Sequence, residues 1–238
     1  MVSVHVFLLC YNEELLLPKT IHHYKTYLPN CHITIYDNES TDNSVNIAKQ
    51  LGCSIVSWKT TDEIDDDKYV EIKNTCWNGL NHGEWVIVGD MDEWLCITED
   101  ELEMEDKCGS SILNIEGYNM VGQSRMVDLS DIDIHNITRA VVNWTWESKR
   151  LCFKKGPIQS INYSGGAHRC SPIGDIKYSE RTYINKHMDM LGLEYYKNKI
   201  FGRFLRKKDK CTAHYYTNDI SKIEFNFNWM LNNSVSIA

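Results

Sequence analysis

The chain has 238 residues, of which 42% are hydrophobic and 24% charged, the balance of an ordinary soluble globular protein with enough apolar material for a core. Its net charge of -8 excludes a general nucleic-acid binder, because no basic excess is available to neutralise phosphates. The nine cysteines are odd in number and include no Cys-x-x-Cys pair. This argues against a disulfide framework or a zinc site and predicts thiols in a reducing cytoplasm.

The first hundred residues predict strands and helices in alternation. Pro18 suits the first turn of the first helix, Gly52 ends the second helix, and Thr98 with Glu101 forms a capping box for a short helix. The predicted strands are "VSVHVFLL", "HITIYD", "CSIVSW" and "EWVIVGD", and the predicted helices between them are "EELLLPKTIHHYKTYL", "STDNSVNIAKQLG" and "KYVEIKNTCWNGLNHG".

Beyond about residue 110 the pattern is less regular. The segments "SILNIEGYNM" and "RLCFKKGPI" predict strands, and "YINKHMDMLGLEYYKNKIFGRFL" predicts helical material. Strands separated by helices indicate βαβ units, so we expect an α/β fold with a mostly parallel central sheet flanked by helices. We expect residues 1–238 to form a single domain, which could belong to a longer protein, with halves of about 1–110 and 111–238. No run approaches the length of a membrane span, and the N-terminal apolar run lacks the features of a signal peptide.

Polar and acidic residues follow three of the predicted strands. In a parallel sheet the carboxyl ends of the strands meet at one edge, and ligands bind there. We therefore expect these side chains to lie close together. They are Tyr11, Asn12 and Glu13 after the first strand, Asp37 after the second, and Asp90, Asp92 and Glu93 after the fourth.

Asp90 and Asp92 flank Met91 at the end of the fourth predicted strand. In an extended segment they would point the same way, and paired carboxylates suit a hard divalent cation. The alternative is a solvated acidic turn. Asp37 could bind a ligand or cap its own loop, and "YNEE" could bind a ligand or simply start a helix.

The segments "LLCYNEELLLPKTIHHY", "IYDNESTDNS" and "VIVGDMDEWL" together resemble the nucleotide-sugar half of GT-A-fold glycosyltransferases. They are most similar to the family 2-like group with N-E, D-N-x-S-T-D and D-x-D-E motifs, small examples of which occur in bacteria and large DNA viruses. The resemblance covers about residues 2–100, and "SGGAHRC" is similar to a later Gly-Gly-x-His segment. It implies transfer of a sugar from a nucleoside-diphosphate sugar, with UDP preferred, to a glycan or other hydroxyl acceptor, in the cytoplasm (of the host, if the chain is viral).

The resemblance also implies which residues contact the donor nucleotide. Tyr11 and Asp37 would contact the nucleoside. Asn12 and Glu13 would lie beside them in the same nucleotide-sugar site. These assignments are carried over from the motif positions.

For the metal and the chemistry, the resemblance points to four residues. Asp90 would face the ribose or the metal, and Asp92 would bind the Mn²⁺ or Mg²⁺ that bridges the diphosphate. Glu93 would support that site or approach the sugar, which makes Asp92 and Glu93 the implied catalytic pair. His168 follows two glycines that permit close backbone approach, and imidazole is a competent ligand for such ions. Its alternative is a structural loop histidine.

Other functions are less compatible with the chain. A dinucleotide-dependent oxidoreductase needs a glycine-rich turn after its first strand, and residues 9–17 contain no glycine. An aspartyl phosphotransferase would carry its D-x-D at the first strand. A catalytically inactive nucleotide-sugar-binding or interaction module stays open as an alternative.

The second half is expected to hold the acceptor glycan or glycoconjugate. Trp144 and Trp146 could stack on a sugar or act as core or interface anchors, and His187 could line the acceptor cleft or be a structural histidine. The remaining candidates are basic residues that could meet an anion and acids that could act as the base. These are Lys149, Arg150, Lys154, Lys155, Arg203, Arg206, Lys207, Lys208 and Lys210, and Glu116, Asp128, Glu147, Asp175 and Glu180.

Overall fold

A computed structural model of the protein describes residues 2–60, 63–124, 129, 134–142 and 148–237. The helices are α1 (Leu17–Tyr27), α2 (Ser44–Gln50), α3 (Asp66–Thr75), α4 (Glu99–Cys108), α5 (Leu193–Arg206) and α6 (Ile220–Asn233). The strands are β1 (Val4–Cys10), β2 (His32–Asp37), β3 (Ser54–Ser57), β4 (Trp85–Asp90), β5 (Glu93–Cys96), β6 (Ile112–Ser124), β7 (Arg139–Val141), β8 (Cys152–Lys154), β9 (Ile158–Ser160), β10 (Tyr163–Ser164), β11 (Arg169–Cys170), β12 (Ile173–Gly174), β13 (Tyr178–Gly192) and β14 (Val235–Ser236).

The predicted α/β class is confirmed. The four strands predicted for the first half, β1 to β4, lie side by side in the order β3-β2-β1-β4, and all three of their pairings are parallel. The predicted local signals are also present: Pro18 lies in the first turn of α1, Gly52 follows α2 with φ +76°, and Thr98 and Glu101 form both bonds of a capping box. A parallel sheet of this kind places all its carboxyl ends at one edge.

The second half continues the same sheet with mixed pairing. β8 runs antiparallel to β4, and β13 pairs parallel with β6 and antiparallel with β5. The prediction of helical material from Tyr183 was wrong for its first ten residues, because β13 continues to Gly192 and α5 begins only at Leu193. Tyr183 and Asn185 are buried while Ile184 and Lys186 are partly exposed, the alternation that a strand requires.

Helix α1 supports the acidic segment that follows β4. Thr20 Oγ1 donates a hydrogen bond to the Met91 carbonyl oxygen at 2.8 Å, and Tyr24 Oη donates one to the Glu93 carbonyl oxygen, also at 2.8 Å. Thr20 and Tyr24 are completely buried. Because buried carbonyl groups need partners, these bonds fix the backbone from which the acidic side chains project.

His23 completes this support. Its Nε2 lies 3.0 Å from the Leu95 carbonyl oxygen, so that nitrogen carries the proton, and its ring stacks on Trp94 with centroids 4.9 Å apart. Burial lowers the pKa of His23 to about 4, against the opposing effect of the Leu95 carbonyl. The folded protein therefore holds His23 neutral.

We expect this histidine to make stability depend on pH. The unfolded chain takes up the proton near pH 6.5 while the folded chain does not until about pH 4, so the free energy of unfolding should fall as pH drops through that window. Urea denaturation of the wild type and His23→Gln at pH 7.5, 5.5 and 4.5 measures this. The variant should show a shallower decline, and equal slopes would contradict the assignment. His32→Gln, at a surface-exposed histidine, is the control.

Candidate active site

The three strands that are followed by polar and acidic residues, β1, β2 and β4, end at one edge of the sheet, as expected. In the parallel registers, Cys10 lies opposite Asp37 and Leu9 lies opposite Asp90. The loops after β1, β2 and β4 therefore leave the sheet side by side. This places every acidic strand-end residue named from the sequence in one region.

Asn12 joins the first two of these loops. It has a positive φ of 51°, and its Oδ1 accepts hydrogen bonds from the backbone N–H groups of Thr41 at 2.7 Å and Asp42 at 3.3 Å. The Glu13 backbone N–H donates to Ser44 Oγ at 2.8 Å. Asn12 thus links the loop after β1 to the loop after β2. Its contact with a nucleotide stays a prediction.

Tyr11 and Asp37 also have protein partners. The guanidinium carbon of Arg206 lies 3.3 Å from the centroid of the Tyr11 ring, and Arg206 is buried. Asp37 is 3% exposed, and both its oxygens accept from the Ser40 backbone N–H at 3.3 and 3.2 Å. Asp37 therefore caps its own loop in the structure, which was the alternative to ligand binding. Its contact with a nucleoside remains a prediction.

Asp90 and Glu93 share Lys149, and Asp90 also pairs with Lys73. Lys73 Nζ lies 2.8 Å from Asp90 Oδ2, and Lys149 Nζ lies 2.6 Å from Glu93 Oε1 and 3.8 Å from Asp90 Oδ2. Burial raises the pKa of Asp90, but Lys73 and Lys149 outweigh it and lower that pKa below its ordinary value. Both carboxylates are therefore compensated by buried ammonium groups.

Glycine at position 89 allows Glu93 to fold back against its own strand. Glu93 is completely buried, and its Oε2 accepts from the Asp90 backbone N–H at 2.8 Å. A Cβ at Gly89 would lie 3.2 Å from that same oxygen, which is tighter than ordinary contact. The "VGDMDE" pattern thus shapes a pocket for the Glu93 carboxylate.

Asp92 faces a different group of partners. Lys199 Nζ lies 2.5 Å from Asp92 Oδ2 and 2.9 Å from Asp189 Oδ1, and Arg203 Nη2 lies 3.5 Å from Asp92 Oδ2. His187 Nε2 lies 3.6 Å from the same Asp92 oxygen. Burial raises the pKa of Asp92, but Lys199, His187 and Arg203 hold it well below its ordinary value. Asp92 is thus a buried anion among cations.

An extended segment would give Asp90 and Asp92 the same partners. In the structure Asp90 pairs with Lys73 and Asp92 pairs with Lys199. Met91 and Asp92 form a turn between β4 and β5, so the two-residue alternation does not apply. Within the described part of the chain, the three side chains that could hold a metal are Asp92, His187 and Asp189, whose ligand atoms lie within 4.8 Å of one another. Asp90 and His168 are not members of this group, and their metal roles stay predictions.

Glu13 belongs electrostatically to the Asp92 group. Burial raises the pKa of its half-buried carboxyl to about 7, Lys199 and Arg203 oppose that rise, and Asp92 and Asp189 add to it. Glu13 can therefore exist in both protonation states near neutral pH. Its predicted contact with the donor is not tested by these contacts.

His168 lies at the tip of the β10–β11 hairpin. Gly165, Gly166 and Ala167 before it have φ values of 52°, 67° and 62°, and the His168 backbone N–H donates to the Gly165 carbonyl oxygen at 3.3 Å. The glycines thus permit a left-handed turn. This one turn accounts for the two glycines of "SGGAH" through backbone conformation alone.

Sequence reasoning missed Asp189 and Lys199. The signal for Asp189 was available: in "HMD", His187 and Asp189 are two residues apart and share one face of β13. Lys199 carried no signal, because a single lysine on an amphipathic helix is ordinarily solvated. Lys149 and Arg203 were named only as members of basic clusters, and the structure places both against the acids.

Trp144, Trp146, Asp128 and Glu147 lie outside the described residues. Among the described helices, none combines the length and apolar character needed to cross a membrane.

We expect Lys149 to be essential for stability. It is 4% exposed and pairs with Glu93, which is fully buried, so Lys149→Met would leave a buried carboxylate with one cation fewer. Breaking a buried pair in this way typically costs about 3 to 5 kcal/mol. Chemical denaturation measures the loss, with Lys107→Met on the exposed surface of α4 as the matched control. A loss no larger than the control's would show that the pair adds nothing.

Comparison with known proteins gives a family for the first quarter of the chain. Residues 5–61 match the family model described as glycosyl transferase family 2. The protein RfbJ of Shigella flexneri is 34% identical over 55 residues, which are 23% of this chain and 43% of RfbJ. The match thus spans less than half the length of that relative.

Solved structures of similar shape have low sequence identity to this chain. S. aureus TarS 1-349 in complex with UDP-GlcNAc has 13% identity and a TM-score of 0.45, covering 87% of this chain and 66% of that fragment. The mannosyltransferase PcManGT from Pyrobaculum calidifontis, in complex with GDP-Man and Mn²⁺, has 12% identity and a TM-score of 0.47, covering 85% of this chain and 61% of that one. Likeness at this level does not identify a substrate. The family match does confirm, over residues 5–61, the resemblance of this chain to the family 2 glycosyltransferases.

Proposed function

We propose that this protein is a glycosyltransferase that moves a sugar from a nucleoside-diphosphate sugar, preferably a UDP-sugar, to a hydroxyl group of a glycan or glycoconjugate. The observation that carries the proposal is the position of the family match. Residues 5–61 include β1, β2 and the loops that follow them. Those loops lie beside Asp90 at the carboxyl edge of the sheet, where ligands of α/β sheets bind.

The charges at this edge suit a diphosphate with a divalent cation. Asp92, His187 and Asp189 offer two carboxylates and an imidazole, a donor set that fits Mn²⁺ and accepts Mg²⁺. We propose that Asp92 holds the cation with these two partners. When bound, such an ion would stabilise the negative charge of the departing nucleoside diphosphate.

The protein's own residues would orient and neutralise the donor. Arg203 is 28% exposed, so its guanidinium is accessible from the edge of the site and could bind phosphate oxygens in pairs. Lys73 and Lys149 hold Asp90 and Glu93 in fixed orientations. Preorganised groups of this kind stabilise charge that develops during reaction.

We place the acceptor at a cavity beside this centre. A cavity of about 520 Å³, a size suited to a small ligand, lies between the start of α6 and the segment before it. The Tyr216 ring centroid is 5.6 Å from the guanidinium carbon of Arg203, which links the cavity to the Asp92 group. Aromatic faces and hydroxyl groups together suit a sugar. The lining residues are His214, Tyr215, Tyr216, Thr217, Ser221, Lys222, Phe225 and Asn226.

The alternative is a nucleotide-sugar-binding module without turnover. The two are separated by incubating the protein with Mn²⁺ and each common UDP-, GDP- and dTDP-sugar and measuring released nucleotide. Release above the level of a heat-denatured sample supports the enzyme. Binding of a donor without release over long incubation, with and without a panel of glycan acceptors, would support the module.

We propose the cytoplasm as the compartment, since all nine cysteines are unpaired.

We expect Asp92→Ala to abolish metal-dependent binding of the donor nucleotide while leaving the fold intact. The variant removes the central carboxylate of the ligand group, and Asp189 still pairs with Lys199. Calorimetric titration with UDP, with and without Mn²⁺, measures the effect. Asp100→Ala on α4, where the carboxylate is exposed, should behave as wild type. Unchanged Mn²⁺-dependent affinity in Asp92→Ala would remove Asp92 from the metal site.

We expect Asp37 to act on the nucleoside and not on the sugar, because it ends the strand next to β1 on the side away from β4. Asp37→Ala should therefore weaken binding of UDP and of a UDP-sugar by the same factor in parallel titrations. Asp42→Ala controls for loop damage, since Asp42 Oδ1 and Oδ2 accept bonds from the Ser44 and Glu14 backbone N–H groups in the same loop pair. Equal effects of the two variants would assign Asp37 to loop structure alone.

A further inference from the structure

Lys199 occupies the place between two of the three candidate metal ligands. Its ammonium lies 2.5 Å from Asp92 Oδ2 and 2.9 Å from Asp189 Oδ1, and its side chain is 7% exposed. Burial lowers the pKa of Lys199, but Asp189 and Asp92 outweigh it and raise that pKa well above its ordinary value. The ammonium thus forms ion pairs with both carboxylates and donates a hydrogen bond to Asp92 Oδ2.

The same two carboxylates are the oxygen ligands that a divalent cation would need. A cation coordinated by both would use the lone pairs that the ammonium now uses, and it would place two like charges in contact. The lysine and the cation cannot use Asp92 Oδ2 and Asp189 Oδ1 at the same time. Their binding is therefore competitive.

Lys199 compensates the negative charge of the two buried carboxylates. Asp92 is 3% exposed and Asp189 is 6% exposed, and two buried carboxylates side by side are costly without a cation. Arg203 gives only partial compensation, because its nearest nitrogens lie 3.5 Å from Asp92 and 3.9 Å from Asp189. Lys199 lies closer than Arg203 to both acids, at 2.5 Å from Asp92 and 2.9 Å from Asp189.

We propose that Lys199 and the divalent cation are alternative occupants of one site, with the ammonium neutralising Asp92 and Asp189 until the metal displaces it. This rests on the metal dependence proposed above and adds its regulation. Lys199 is then a positioning residue that preserves the ligand geometry in the metal-free protein. It also lowers the apparent affinity for metal, since binding must break two ion pairs.

Lys199→Met separates these roles, and Lys197→Met is the matched control. Lys197 lies on the same helix, but it pairs with Glu194 at 3.0 Å and Glu224 at 2.7 Å and does not touch the ligand group in the described structure. Calorimetric titration with MnCl₂ alone gives the affinity, and thermal unfolding with and without Mn²⁺ gives Tm. No donor and no turnover are needed.

The expected result is opposite in sign for the two measurements. Without metal, Lys199→Met should have a lower Tm than wild type, because two buried carboxylates lose their cation. Its Mn²⁺ affinity should rise by about tenfold or more, which corresponds to about 1.4 kcal/mol or more. Mn²⁺ should then raise its Tm more than that of wild type. Lys197→Met should keep the wild-type Mn²⁺ affinity.

A second variant guards against a Lys199→Met protein that does not fold. Lys199→Arg keeps the positive charge with a bulkier group, so its Mn²⁺ affinity should be equal to or weaker than wild type; tighter binding would overturn the proposal. Unchanged Mn²⁺ affinity in Lys199→Met, with binding in wild type, overturns the competition alone. Absence of Mn²⁺ binding in both proteins overturns the competition together with the proposed metal dependence.

Discussion

Compensation of buried negative charge is the constraint on which the rest of this structure depends. Asp92, Glu93 and Asp189 are each less than a tenth exposed, and an unpaired carboxylate in that position is prohibitively costly. The compensating lysines come from distant parts of the chain. Lys73 lies on α3, Lys149 before β8 and Lys199 on α5, so the acidic edge of β4 is stable only when both halves of the chain are assembled around it.

The compensation differs between the two acids at the end of β4. Glu93 is fully buried and bonded to Lys149 and to the Asp90 backbone N–H, so its charge has a fixed structural partner. Asp92 is bonded to Lys199, and the partly exposed Arg203 lies next to it. The first arrangement gives Glu93 buried partners, and the second leaves Asp92 beside a partly exposed guanidinium. Neighbouring residues in one motif thus serve different physical tasks.

Helix α1 turns this charged segment into a rigid one. Thr20 and Tyr24 donate hydrogen bonds to the carbonyl oxygens of Met91 and Glu93 from completely buried positions. Without these two donors, the carbonyl oxygens of Met91 and Glu93 would lose these hydrogen bonds. The sequence predicts the helix that carries Thr20 and Tyr24. Its apolar periodicity does not show that their hydroxyl groups bond the segment after β4.

The sequence by itself determined the alternation of strands and helices in the first half, the parallel sheet and the edge at which Tyr11, Asp37 and Asp90 lie. Those features follow from local period and from the rule that parallel strands end on one side. Only the tertiary structure decided that Met91 and Asp92 form a turn, that Tyr183 to Gly192 is a strand, and that Lys199 meets Asp92. The strand is held by pairing on both edges, and the lysine by a contact across 107 residues. Neither leaves a mark in local sequence, because the partners that stabilise them come from elsewhere in the chain.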